Sequence, residues 1–137
     1  MVTITPRTRR ITPVYADLHK DLTVNPFSND LALKTDEEAV KEALKNLIFM
    51  DKGEKLFQPY FGGNIRAMLF DLITPATMKL IQEQIRTTIN NYEPRADLIS
   101  VEVYSLIDDN RLVVKILYAL RSREQPIEVE FILERVR

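Results

Sequence analysis

Three period-two runs near the C-terminus constrain this chain more than any other feature. Ile99, Val101 and Val103 alternate with Ser100, Glu102 and Tyr104. Leu112, Val114, Ile116, Tyr118 and Leu120 alternate with Val113, Lys115, Leu117 and Ala119. Ile127, Val129, Phe131 and Leu133 alternate with Glu128, Glu130, Ile132 and Glu134. Successive side chains of a strand point to opposite faces, so each run predicts a strand with one face toward a core. Asp108-Asp109-Asn110 predicts the first turn and Ser122 to Pro126 the second. Connections this short join antiparallel neighbours, so the runs predict a three-stranded meander. With the second run central, Lys115 would face Glu102 on one side and Glu128 or Glu130 on the other.

Helical periods precede the strands. Thr35 followed by Asp36, Glu37 and Glu38 reads as a capping box that opens a helix. Val40, Ala43, Leu44, Leu47 and Ile48 then form one apolar stripe, and Gly53 is placed to end the segment. A short helix carries Ile65, Met68, Leu69 and Leu72 on one side. Thr74 and Pro75 supply an N-cap and a first-turn proline for a longer helix. Met78, Ile81, Ile85, Ile89 and Tyr92 carry its stripe until Pro94 stops it. Helices first and strands last predict an α+β fold: two main helices and a short one packed on a C-terminal three-stranded antiparallel sheet. Residues 1–34, broken by Pro6, Pro13 and Pro26, read as an irregular, extended N-terminal arm. It either packs on the body or reaches to a neighbour. The expected organisation is that arm plus a single domain over 35–137.

Composition narrows the chemistry. The 137 residues include no Cys and one His, His19. That excludes a thiolate nucleophile, a disulfide framework and Cys-ligated metal, and leaves no cofactor or metal to expect. Twenty acids against nineteen bases argue against nucleic-acid binding by bulk charge. No apolar run reaches the roughly 18–20 residues of a membrane span, so no membrane contact is expected. No carboxylate pair stands in a recognisable catalytic motif. No catalytic residue is therefore assigned, and the chain is not expected to be an enzyme.

Two places read as contact surfaces. The loop over 53–63 is rich in rings, with Phe57, Tyr60 and Phe61 expected to dock into a core or a partner. Glu93-Pro94-Arg95 sets two opposite charges on a rigid joint between the long helix and the sheet. Its plain reading is a helix stop with local pairing. Its functional reading is a corner offered to a partner.

Together these segments resemble a known family. Thr35-Asp36-Glu37-Glu38-Ala39-Val40-Lys41 resembles the first helix of the small baseplate wedge proteins of contractile-tailed phages, the T-even wedge subunit family. Gly53-Glu54-Lys55 with Phe57-Gln58-Pro59-Tyr60-Phe61-Gly62 resembles its G-E-R-x-F-x-P-x-F-G stretch, with Lys55 where Arg is common. Leu69-Phe70-Asp71 and then Tyr92-Glu93-Pro94-Arg95 resemble its L-F-E/D and Y-E-P-R segments. Related proteins occur in type VI secretion baseplates.

The resemblance implies a structural part that templates the first sheath ring by strand exchange. Ile127, Val129, Phe131 and Leu133 would belong to the exchanging sheet. The resemblance implies that Glu93, Pro94 and Arg95 hold the chain on a helical bundle of other wedge proteins. The tail sheath protein and the tail tube are its further implied neighbours. The implied location is the virion's tail baseplate, assembled in the host cytoplasm. A peptidoglycan-cleaving, lysozyme-like enzyme and a non-virion adaptor on the same fold are the alternatives.

Overall fold

The computed structural model describes residues 13–106 and 111–134. Arg7, Arg9 and Arg10 of the arm and the turn expected at Asp108-Asp109-Asn110 lie outside them. Five strands and three helices follow in order: β1 (Ala16–Leu18), β2 (Leu33–Thr35), α1 (Asp36–Phe49), α2 (Ile65–Met68), α3 (Pro75–Tyr92), β3 (Ala96–Leu106), β4 (Arg111–Leu120) and β5 (Arg123–Glu134). The expected α+β architecture is present. β3, β4 and β5 form an antiparallel sheet with β4 in the middle.

Helices cover one face of that sheet. Ile81, Ile85 and Ile89 of α3 and Val40, Leu44 and Ile48 of α1 are fully buried against Val101, Val114, Ile116 and Phe131. Each such side chain is worth about 2 kcal/mol on leaving water. Phe49 meets Phe131 edge-on, with ring centres 6.5 Å apart. Thr74 caps α3 as the sequence predicts: its hydroxyl accepts the Thr77 N–H at 3.1 Å. Pro75 follows in the first turn, where its missing N–H costs nothing.

Several local expectations change. The register of β3 shifts between Leu98 and Ser100, which makes Ile99 an extra, bulged residue. Ala96 and Leu98 then turn inward with Val101, and Ile99 is 52% exposed rather than in the core. The second hairpin is tighter than expected. Leu120 pairs with Arg123, so the turn is Arg121-Ser122 and Pro126 lies within β5. Leu72 is exposed, and α1 ends at Phe49, before Gly53.

Asp36 displaces the expected capping box. Thr35 sits at the N-cap without a side-chain bond, and Asp36 has a left-handed φ of 46°. Its buried carboxylate has tertiary partners instead. Oδ1 accepts the N–H groups of Val14 and Tyr15 at 2.9 and 3.1 Å, and Oδ2 accepts from Arg123 at 3.0 Å.

The segment read as an irregular arm contains a small hairpin, β1 against β2. Its polar side faces the body: Asp17 pairs with Arg95, and Lys34 with Glu42. Leu18 and Leu33 face outward.

Candidate functional site

The Glu93-Pro94-Arg95 corner begins where α3 ends. Pro94 cannot continue the helix, and Glu93 leaves it at φ −124°, ψ 80°. Glu93 turns inward and is only 6% exposed. Arg95 follows it over the edge of the sheet. Its Nε donates to Glu93 Oε1 at 2.7 Å and its Nη2 to Oε2 at 2.9 Å. Its Nη1 donates to Asp17 Oδ2 at 3.1 Å, and its guanidinium lies 5.8 Å from the centre of the Tyr15 ring.

A buried carboxylate needs such a partner, because an uncompensated charge there is expensive. The bonds to Glu93 hold the Arg95 pKa above its ordinary value, against the lowering effect of burial, with Asp17 adding to the rise. The local pairing expected of the corner is therefore present. Asp17 is the member that sequence reasoning missed, since it is 78 residues away.

The aromatic loop packs beside this corner. Phe61 stacks at a tilt on Tyr92, with centres 4.8 Å apart, and Lys55 lies 4.0 Å over the Phe61 ring. The Tyr92 hydroxyl donates to the Tyr60 carbonyl at 2.9 Å. Gly62 makes the close approach possible. Its φ is +115°, and a Cβ there would sit 2.6 Å from the Met50 carbonyl oxygen.

Of the three rings, only Phe61 docks on this chain's core. Phe57 is 100% exposed at a φ of +65°, and Tyr60 is also exposed. A bulky residue held in that strained region at full exposure is presented rather than packed.

Two grooves result. One, of about 410 Å³, joins Asn46, Leu47 and Met50 of the α1 region to Phe61, Glu93 and Arg95. The other, of about 530 Å³, runs between Phe57, Pro59, Tyr60, Asn91 and Tyr92. They share Lys55, Phe61 and Tyr92. The corner and the loop thus form one surface of ridged aromatics with fixed charges.

The four residues expected on the exchanging sheet lie in β5, with their side chains turned to this chain's core. Val129, Phe131 and Leu133 are buried and Ile127 is half-buried, all within this chain's own core. The outer face of β5 carries its alternate residues, Glu128, Glu130, Ile132 and Glu134. On that face Glu130 pairs with Lys115 at 3.7 Å, and Lys115 also lies 5.7 Å from the centre of the Tyr104 ring. The Lys115 pKa is raised, first by Tyr104 and then by Glu130. Among the described residues no cluster of three or more His, Asp or Glu is placed to hold a metal, and no helix is long and apolar enough to cross a membrane.

Comparison with known proteins gives consistent matches. Residues 34–125 match the family model for baseplate wedge protein gp25. Baseplate wedge protein gp25 of Enterobacteria phage T4 is 29% identical over 118 residues, covering 86% of this chain and 89% of that protein. The fold resembles a proposed tail lysozyme from Geobacter sulfurreducens, with TM-score 0.71 and 25% identity over 77% of this chain and 96% of that one. It also resembles a chain of the anti-feeding prophage baseplate, with TM-score 0.60 and 19% identity over 90% and 87%.

Proposed function

This chain belongs to the baseplate wedge protein gp25 family, and from that premise we propose that it is a structural subunit of a contractile-tail baseplate that nucleates the sheath by strand exchange. The observation that carries the proposal is the open meander. Among the described residues β5 is hydrogen-bonded on one side only, to β4, so its outer edge is a template for another strand. The corner at Glu93, Pro94 and Arg95, with Phe57, Tyr60 and Phe61 beside it, is the surface proposed to seat helices of other wedge proteins. Rings that this chain does not bury itself fit a site completed by assembly. The single domain over 35–137 would hold both surfaces, with the preceding arm clipped to it. The proposed location is the tail baseplate of a phage or phage-like particle, assembled in the host cytoplasm with sheath and tube as neighbours.

Particles assembled without this chain test the proposal. Baseplates lacking it should carry no sheath, and normal sheath on them would overturn the reading.

The likeness to a proposed tail lysozyme favours a second reading, a cell-wall hydrolase. Against it, Glu93 is the acid of its groove and is neutralised by Arg95. Purified protein should leave cell-wall suspensions turbid, and clearing above buffer would restore the enzyme reading.

A further inference from the structure

The two outer edges of the sheet are not equivalent. β3 carries the Ile99 bulge, and its Val101 carbonyl accepts the side-chain amide of Gln82 from α3 at 2.6 Å. A bulge and a covering side chain are standard ways to close an edge. Among the described residues β5 has neither over 127–134, where its register against β4 is regular.

Cross-strand rows on the outer face end at β5. One reads Glu102, Lys115, Glu130, and alternates in charge. Two further rows on this face read Ser100, Leu117, Glu128 and Leu106, Arg111, Glu134, and each again ends in an acid. Between them lies Tyr104, Val113, Ile132, an apolar row with Ile132 half exposed. The end of β5 also borders a groove of about 540 Å³ lined by Phe49, Leu69, Phe70 and Leu133, and by Arg66, Ile132 and Glu134.

Taking the strand-exchange reading as its basis, we infer that the incoming strand pairs with β5, not β3, and alternates apolar with basic residues. Its basic side chains continue the rows that end in Glu128, Glu130 and Glu134. An apolar one continues the row of Ile132. Its inward side chains fill the groove beside Leu133. Opposite charges directly across a ladder stabilise pairing, and like charges oppose it, so the acid-ended rows select the partner's sign.

The test uses the full chain and two synthetic ten-residue peptides, one alternating Val with Lys and one alternating Val with Glu. Amide hydrogen exchange should slow over 127–134 with the Lys peptide and stay unchanged over 96–106. The Lys peptide should bind at least about tenfold tighter than the Glu peptide. The variant carrying Glu128→Lys and Glu130→Lys should reverse that preference. Protection of β3, equal binding of both peptides, or no protection of β5 would each overturn the inference. Those outcomes leave the broader reading intact if baseplates without this chain still lack sheath.

Discussion

Arg95 holds both carboxylate oxygens of Glu93, at 2.7 and 2.9 Å, from only two residues away. Pro94 between them fixes the chain so that the fork closes back on the end of its own helix. The same guanidinium reaches Asp17 and so ties the N-terminal hairpin to the body. A motif that reads as a signal to partners is therefore first an internal clip.

That geometry predicts an asymmetry. Arg95→Ala leaves Glu93 buried and unpaired, and should cost about 3 kcal/mol or more. The double variant Glu93→Ala, Arg95→Ala leaves no buried orphan charge, since Asp17 is partly exposed, and should cost less than Arg95→Ala alone. Urea midpoints of the two variants check this. A double variant less stable than Arg95→Ala would contradict it.

Asp36 predicts a second loss. Its carboxylate takes two backbone N–H groups and Arg123, so Asp36→Ala should cost about 2 kcal/mol. Amide exchange at Val14 and Tyr15 should speed up more than exchange in α3. Equal change in both would mean that Asp36 does not hold the arm locally.

Tyr118 predicts a pH effect. The residue is fully buried, and its hydroxyl has no hydrogen-bond partner among the described residues. Burial, with Glu37 and Glu93 adding to it, pushes its pKa up from 10.0 to about 12. Between those values the unfolded chain has lost the proton and the folded chain keeps it. Stability contributed by this group is therefore present below pH 10 and falls as pH rises toward 12. Tyr118→Phe should flatten that fall, and should be neutral or stabilising at pH 7, since an unsatisfied polar group is removed. Melting temperatures of both proteins across this alkaline range measure the difference.

Phe57 and Tyr60 predict a separation of stability from assembly. Phe57→Ala with Tyr60→Ala should change stability by less than about 0.5 kcal/mol, because the rings pack on little of this chain. The same change should reduce recovery of the chain in purified baseplates. Unchanged recovery would remove the loop from the docking surface.

Much of this was legible in the sequence, and the exceptions share a cause. The strands and the long helix could be read because Val101, Val114, Phe131, Ile81 and Ile85 repeat at the period of their own element. Ile99 fits the same period and yet bulges outward, since register belongs to the pair of strands and not to one. Thr35 had the right residues around it for a cap, but the partners of Asp36 lie 21, 22 and 87 positions away. The hairpin of residues 16–35 was missed because its strands have three residues each and turn their polar side inward. At the corner, the pairing of Glu93 with Arg95 was readable from adjacency, whereas Asp17 was not.

One measurement tests the central claim most directly: a cryo-EM reconstruction of an intact particle containing this chain. The account predicts a partner strand hydrogen-bonded to the outer edge of β5 over 127–134, with helices of other baseplate subunits seated against Phe57, Tyr60 and Glu93-Pro94-Arg95. A baseplate in which that edge faces solvent while the sheath is attached would contradict it.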